Sequence, residues 1–460
     1  MKTIAEYKQM LVAEGLLASD NAETADFSQE VTDVSYNSLT VKPGTLFLCK
    51  GANFKEAYLA DALAKGACGY VAARDMNMGP DVPCLVTGDI RAAISKISAF
   101  YFDRSWDKDL KLIGLTGTKG KSTTATMIKA ILDLYRGREI GFSSGIYTYD
   151  GQHREKSRKL TTPETIELHR LLDGCVRNDC RYLVMEVSSQ GLKYDRVADL
   201  HYEVCGFLNI SEDHISEAEH SDMEDYFTSK LKIFDRSRIA CVNLDCDHAQ
   251  RVLQAAQEGG RPVITFSQKN EEADVYASQV RKRGNDILFR VKTPRFLRRF
   301  RLTMPGLFNV QNALAALAVC EAVGVPEQYA FAGLMKARVP GRMEVYANAD
   351  EKVSVIVDYA HNRLSFETLF RSVREEYPGR RIVTVFGCPG YKAYDRRKDL
   401  GEISGQYSDL VILTEEDPGE EPVENICRDI AQYVAQGTSD YSIVPDRGEA
   451  IKQAVMSCDE

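Results

Sequence analysis

Short apolar runs alternate with helical patterns along almost the whole chain. Leu110 to Leu115, Leu183 to Val187, Val204 to Asn209, Ile239 to Leu244, Val353 to Val357, Ile382 to Phe386 and Leu410 to Leu413 read as buried strands. Between them, apolar positions at helical spacing predict helices over Ser122 to Leu134, Thr165 to Val176, Val310 to Val323 and Ile426 to Gln436. Strands alternating with helices in this way predict an α/β chain with parallel sheets covered on both faces. One interval breaks the rhythm. From Asp274 to Thr303 polar and apolar residues alternate (Val275, Tyr276, Ile287, Phe289, Val291, Phe296), which predicts a small antiparallel excursion. The arginines between Arg295 and Arg301 fit either a solvated strand face or an anion site.

At 460 residues the chain is too long for one core, so about three domains are expected. The polar stretch Asp103 to Asp109 and the break at Ala337 to Pro340 divide it into 1–106, 107–337 and 338–460. A formal charge of −9 and a pI near 5.5 argue against nucleic-acid and anionic-membrane partners. With no apolar run of about 18 residues, neither a signal peptide nor a membrane span is expected. The twelve cysteines are scattered singly in apolar runs, which suits reduced thiols in the cytoplasm. Cys175/Cys180 and Cys241/Cys246 lack the tight pairing of a zinc ribbon.

The chemistry concentrates after the first central strand. Thr116-Gly117-Thr118-Lys119-Gly120-Lys121-Ser122-Thr123 is a glycine-rich turn between a strand and a helix. Glycines let backbone N–H groups approach an anion, and the helix start adds partial positive charge. Lys121 would reach the outer phosphates of a nucleotide, and the Ser122 hydroxyl would sit on Mg²⁺. Leu115 stands where the usual spacing has a glycine, so the loop is a shortened variant. A glycine turn without a ligand is the bland alternative.

Two strand ends follow. Glu186, in Met185-Glu186-Val187-Ser188-Ser189-Gln190, closes the run Tyr182 to Val184 at the edge where ligands bind in open α/β sheets. A carboxylate there can hold the Mg²⁺ that bridges nucleotide phosphates; a solvated strand-end acid is the alternative. The next strand leads into Asn209-Ile210-Ser211-Glu212-Asp213-His214 at the same edge. His214 is either a further ligand or a hydrogen-bonded structural histidine.

These motifs, in order, resemble those of the Mur ligases, the ATP-dependent amide-forming enzymes of peptidoglycan precursor assembly. The resemblance runs from about Thr32 to Ala450. It includes Leu160-Thr161-Thr162-Pro163-Glu164, Pro305-Gly306-Leu307-Phe308-Asn309-Val310-Gln311-Asn312-Ala313, Pro340-Gly341-Arg342-Met343-Glu344 and Asp358-Tyr359-Ala360-His361-Asn362. It is strongest to the members that add the third amino acid of the stem peptide. The resemblance implies a small N-terminal α/β domain for the UDP-sugar, a central P-loop-type ATP-binding domain, and a C-terminal Rossmann-like domain for the amino acid.

It also implies roles. Lys121 and Ser122 would hold ATP and Mg²⁺, with Thr116, Gly117, Thr118, Lys119, Gly120 and Thr123 completing the cradle. Glu186 would bind one of two Mg²⁺ ions, and His214 with a carbamylated Lys230 the second. Lys230 lies in a matching Tyr226…Lys230…Phe234 context. By its residues alone it reads as an ordinary helix-surface lysine. Asn309, Asn312, Arg342, Asp358 and His361 fall on nucleotide-contacting positions. Thr161, Thr162, Ser188 and Arg196 fall on positions that contact UDP-MurNAc-dipeptide, and Ser38 on a uridine-contacting serine. Asn37 and Leu39 flank it where the family has Asp and Arg.

Members that add diaminopimelate carry Asp-Asn-Pro-Arg at a C-domain strand end, the Arg holding the extra carboxylate. Here the stretch is Glu415-Glu416-Asp417-Pro418-Gly419-Glu420-Glu421. Gly419 replaces the Arg among acids, so L-lysine is expected, with Lys392, Glu416 and Asp417 at the amino-acid site. A solvated acidic loop is the alternative. Family members continue past the helix of Gly448 to Met456 into a strand ending in Gly-Lys-Gly. This chain stops at Glu460, which leaves either a pocket completed by further residues or a weaker activity. The expected protein is a cytoplasmic monomer. The competing functions are a Mur-type ligase for diaminopimelate or another diamine, a folylpolyglutamate-synthase-like ligase, and a non-catalytic nucleotide-binding homologue.

Overall fold

The computed structural model describes residues 1–51, 54–157, 160–211, 219–284, 286–348 and 352–458. The chain forms two compact units. The first comprises Met1–Ser278, Arg290–Arg299 and Gln311–Lys336; the second comprises Gln279–Phe289, Phe300–Val310 and Ala337–Glu460.

The first unit begins with the helix Ile4–Ala13. Thr3 and Glu6 cap it reciprocally, each side chain taking an N–H of the other residue. A five-stranded sheet follows, in the order Leu17–Asp20, Cys84–Thr87, Gly69–Ala72, Thr45–Leu48, Asp33–Ser35. All neighbours in it are parallel except the edge strand Leu17–Asp20. Apolar side chains bury both faces, with Ile4, Tyr7, Leu11, Ile94 and Ile97 on one side and Phe47, Leu59 and Tyr70 in a second cluster.

The larger sheet of this unit places Lys111–Thr116 between Tyr182–Glu186 and Tyr202–Phe207, with Ser237–Asn243 and Val263–Ser267 beyond. These strands are parallel. Being covered on both faces, they read as unbroken apolar runs and not as alternating ones. Glu186 pairs with Leu115 and Phe207 with Thr116, so three strands end level at one edge. The strands expected in this sheet are parallel, with their ends shifted by a residue or two; the run Val353 to Val357, expected as a buried strand of a parallel sheet, instead forms Ser354–Val357, which pairs antiparallel with Glu344–Ala347 and is not fully buried.

The irregular interval forms the strands Val275–Arg283, Asp286–Lys292 and Leu297–Leu302, hydrogen-bonded in that order. Its arginines answer nearby acids: Arg295 pairs with Glu321 at 2.5 Å, Arg298 with Glu327 at 3.0 Å and Arg301 with Asp286 at 2.6 Å. Three of the four arginines in this interval are thus engaged by acids, as on a solvated strand face.

Near residue 106 a short helix, Trp106–Asp109, buries Trp106 against His169 with ring centroids 4.7 Å apart. Neither ring nitrogen of His169 has a hydrogen-bond partner, and burial pushes its pKa down to about 3.

The second unit contains the parallel sheet Val383–Phe386, Leu410–Leu413, Asp440–Ile443 and the antiparallel pair Glu344–Ala347 and Ser354–Val357. The helices Arg363–Glu376, Tyr394–Tyr407, Val423–Val434 and Arg447–Met456 accompany them. Phe366, Phe370, Phe386, Leu400, Val411, Leu413 and Ile430 form its core. Among the described residues no helix is long and apolar enough to cross a membrane, and no cluster of His, Cys, Asp and Glu has metal-site geometry. All twelve cysteines are free.

Candidate active site

The strand Lys111–Thr116 delivers the chain into a tight loop, and the helix Lys121–Arg136 leaves it. Gly117 (φ 154°) and Gly120 (φ 82°) both lie in backbone regions that favour glycine. A Cβ at Gly120 would collide with the Asn312 side chain, and one at Gly117 would come within 3.0 Å of Leu208. The adjacent strand end clamps the loop. Asn209 accepts from Thr118 N at 3.1 Å and from Lys119 N at 2.8 Å, and its Nδ2 donates to Lys119 O at 3.1 Å. Thr118 Oγ1 lies 3.1 Å from the Tyr226 hydroxyl and accepts from Ser211 N at 3.1 Å. Sequence reading missed Asn209 as a loop clamp, although it stood in the strand-end motif.

Lys121 Nζ donates to the carbonyls of Gly117 (2.7 Å) and Thr118 (3.2 Å). Lys230 Nζ also donates to Gly117 O, at 3.1 Å, and lies 4.5 Å from the centroid of the Tyr226 ring. Lys230 is only 1% exposed. The surface reading of this lysine is therefore wrong. The helix Met223–Leu231 turns it inward onto the phosphate loop.

Glu186 is 2% exposed, and its Oε1 accepts from Gly145 N at 3.0 Å. Ser122, in the first turn of the loop helix, is also buried. A carboxylate and a hydroxyl at a phosphate loop are the hard oxygen donors that Mg²⁺ takes, so these residues fit the ion. His214 lies outside the described residues.

Thr162, Ser188 and Glu186 are tied together. Thr162 Oγ1 donates towards Glu186 O (3.1 Å) and accepts from Ser188 N at 2.8 Å, and Ser188 Oγ accepts from Gly191 N at 3.0 Å. Arg196 donates to Thr162 O at 3.4 Å and pairs with Glu164 at 3.0 Å. Thr161 is half-buried beside Gly145. Ser38 opens the short 3₁₀ turn Ser38–Thr40, its carbonyl accepting from Lys65 Nζ at 2.9 Å, while Leu39 is 81% exposed.

A further network had no sequence signal. His220, wholly buried, has Nε2 at 2.9 Å from Ser189 Oγ and Nδ1 at 3.2 Å from Asp225 Oδ2. Lys193 pairs with Asp225 at 2.6 Å. The network joins the segment after Glu186 to the helix that carries Lys230.

Asn312 reaches the loop, 3.4 Å from Thr124 Oγ1. Asn309 belongs to the second unit and donates to Pro305 O at 2.7 Å. Also in that unit, Asp358 accepts from Met343 N and Ala360 N at 2.8 Å each, and burial raises its pKa above the usual carboxylate range. The Arg342 guanidinium lies 4.4 Å from the Tyr359 ring, and His361 Nδ1 is 2.8 Å from Tyr359 O.

The acidic stretch is less uniform than its sequence suggests. Glu421 forms a paired bridge with the buried Arg397 at 2.7 and 2.9 Å, and Arg397 also holds Asp429 at 2.7 Å. Asp417 pairs with Lys392 at 3.0 Å, both exposed. Glu416 is half-buried without an ion pair, and desolvation raises its pKa. The acids around Gly419 are therefore not equivalent: Glu421 and Asp417 are ion-paired, whereas Glu416 is not.

Comparison with known proteins decides the family. Residues 115–320 match the Mur ligase middle domain and 341–460 the Mur ligase, glutamate ligase domain. A UDP-N-acetylmuramoyl-L-alanyl-D-glutamate–L-lysine ligase of Enterococcus faecalis (strain ATCC 700802 / V583) is 38% identical over 93% of this chain and 84% of its own. The chain belongs to the Mur ligases. A UDP-N-acetylmuramyl-tripeptide synthetase of Bifidobacterium longum (strain NCC 2705) is 34% identical over 95% of this chain and 86% of its own. Among solved Mur ligase structures, MurF from Acinetobacter baumannii superposes with a TM-score of 0.69 at 21% identity, covering 98% of this chain and 92% of that one. A UDP-N-acetylmuramoyl-L-alanyl-D-glutamate–2,6-diaminopimelate ligase gives 0.67 at 23% identity, covering 93% and 87%. These likenesses support the α/β Mur ligase fold.

Proposed function

We propose that this Mur ligase adds L-lysine to UDP-MurNAc-L-Ala-D-Glu in the cytoplasm, as a monomer, using ATP and two Mg²⁺ ions. The named activity of the Enterococcus faecalis relative supports the substrate and the amino acid. The observation that carries the chemistry is the clamped loop, with Lys121 and Lys230 converging on Gly117 O.

A carboxylate of the D-glutamyl residue attacks the γ-phosphorus of ATP. A carboxylate O–P bond forms, the bridging P–O bond breaks, and ADP leaves. The amine of lysine then attacks the acyl carbon: the C–N bond forms, the acyl C–O bond to phosphorus breaks, phosphate leaves, and the amine's surplus proton passes to the departing phosphate or to water. Both partners in the first step are anionic, so the site must supply positive charge. Lys121 and the N–H groups at the start of the helix Lys121–Arg136 provide it on the protein side. Glu186, Ser122, His214 and a carbamate on Lys230 would hold Mg²⁺, which when bound neutralises phosphate charge. Thr161, Thr162, Ser188, Arg196 and Ser38 orient the nucleotide-sugar peptide. Asn309, Asn312, Arg342, Asp358 and His361 contact the nucleotide, and Lys392, Glu416 and Asp417 the amino acid. Domains 1–106, 107–337 and 338–460 divide these tasks.

Phosphate release from ATP, measured with UDP-MurNAc-dipeptide across a panel of amino acids, tests the reading. Release that depends on both the dipeptide and L-lysine is expected. No release with any amino acid overturns it.

A further inference from the structure

Glu376 stands at the wrong end of its own helix. It is the last residue of Arg363–Glu376, where the helix dipole favours a cation and disfavours a carboxylate. The fold nevertheless buries it, with its side chain 0% exposed. A buried carboxylate is costly unless donors answer it. Leu307 N and Ser372 Oγ both donate to Oε1, at 3.1 Å each. Lys282 Nζ lies 3.5 Å from Oε2, donates to the Glu376 carbonyl at 2.6 Å and sits 4.1 Å from the centre of the Tyr377 ring. Ser372 is one turn back on the same helix, but Lys282 comes from the strand Val275–Arg283 and Leu307 from the turn Pro305 to Phe308. All of these residues belong to the second unit.

Leu307 shows what the carboxylate holds. Its N–H lies two residues before Asn309, which opens the helix Asn309–Ala322. A carboxylate disfavoured at the end of one helix thus stands at the start of another, where the dipole favours it. Within the turn, Asn309 N donates to Gly306 O at 2.8 Å and Asn309 Nδ2 to Pro305 O at 2.7 Å. Glu376 anchors the same turn from 69 residues along the chain. Asn309 is 1% exposed, so its amide goes where the turn's backbone takes it.

We propose that Glu376 is a positioning residue for the nucleotide: by accepting from Leu307 N it sets the turn that presents Asn309, and Lys282 balances its buried charge. The inference rests on the ligase reading given above, in which Asn309 contacts ATP. Glu376 acts through the backbone of Leu307 and not by touching the nucleotide.

The test is Glu376→Met and Glu376→Gln in the full chain. Methionine keeps the length and removes the acceptor; glutamine keeps an oxygen for Leu307 N. For Glu376→Met, the KM for ATP should rise at least fivefold, with the KM for UDP-MurNAc-L-Ala-D-Glu within twofold of wild type. Glu376→Gln should recover most of that loss. A merely structural carboxylate would lower the unfolding temperature and leave the KM for ATP alone. An unchanged KM for ATP in folded Glu376→Met therefore overturns the proposal, as does an equal rise in both KM values or a loss that Glu376→Gln fails to recover. If Glu376→Met does not fold, Glu376→Asp decides. It keeps the charge but draws it back from Leu307 by about 1.5 Å, one carbon–carbon bond. A KM for ATP raised at least threefold supports the role, and an unchanged one overturns it. Calorimetric titration with ADP and Mg²⁺ separates the two readings. If wild type binds ADP without ligating lysine and Glu376→Met weakens that binding at least fivefold, the positioning role stands and the ligase reading fails. If wild type binds no ADP, both fall.

Discussion

Lys121 and Lys230 donate to one acceptor, the carbonyl oxygen of Gly117, at 2.7 and 3.1 Å. Two ammonium groups so placed are within about 6 Å of each other. At an effective dielectric near 20 their repulsion is on the order of 3 kcal/mol. Carbamylation of the buried Lys230 would turn that repulsion into attraction. Lys230→Ala should therefore be nearly inactive and partly rescued by acetate, while Lys230→Arg should not support turnover. A ¹³C resonance from labelled bicarbonate, absent in Lys230→Ala, is the direct measurement. Full activity of Lys230→Arg would remove the carbamate from the mechanism.

Lys121 Nζ donates to the loop carbonyls of Gly117 and Thr118, and the residue is only half-buried. Lys121→Ala should lower kcat at least 100-fold, in line with losing one preorganised charge at the transferring phosphoryl group. Its thermal unfolding should stay within a few degrees of wild type. Near wild-type phosphate release would take the loop out of the reaction.

The choice of amino acid should turn on Glu416, because Asp417 and Glu421 are already paired with Lys392 and Arg397. A carboxylate about 4 Å from an unpaired acid costs roughly 1 to 4 kcal/mol between aqueous and surface-like dielectric. That corresponds to about fivefold to several-hundredfold preference for L-lysine over meso-diaminopimelate. Competition at equal concentrations, read by product mass, checks it; Glu416→Gln should narrow the gap. A diaminopimelate product in excess would show that the acidic loop faces away from the amino acid.

His169 gives a pH prediction. Burial holds its folded pKa at about 3, below the ordinary histidine value of 6.5. Protonation therefore favours the unfolded chain, and this stabilisation is complete above pH 6.5 and lost as pH falls towards 3. The slope is about 1.4 kcal/mol per pH unit for this one group. Denaturant titrations at pH 7 and pH 5 should show it, and His169→Phe should flatten the dependence. An unchanged pH slope in that variant would contradict it.

The phosphate loop was legible because its information is local: strand, glycines and helix start are consecutive residues, and glycine at Gly117 and Gly120 answers a backbone requirement. The parallel strands were legible for the same reason. What escaped was set by pairing across the fold. Lys230 sits on a helix of mixed polarity, and only the packing of that helix against the loop buries it. Ser189, His220 and Asp225 meet from different elements, and Lys50 meets Glu164 from 114 residues away. The acidic loop misled for a related reason. Charge composition counts Glu421 as an available acid, whereas Arg397 from the helix Tyr394–Tyr407 has already neutralised it.

The distribution of thiols gives the molecule a built-in optical handle. Ten of the twelve cysteines are buried, Cys246 is half-buried, and Cys458 alone is exposed. A maleimide dye on the native chain would therefore react first near its C-terminal end, in the second unit. The chain also has a single tryptophan, Trp106, rigid against His169 in the first unit. Trp106 as energy donor and a dye on Cys458 as acceptor form a distance gauge between the two units that needs no mutation. Transfer efficiency recorded during successive addition of ATP, nucleotide-sugar peptide and lysine would follow the working cycle in a chain of unchanged sequence.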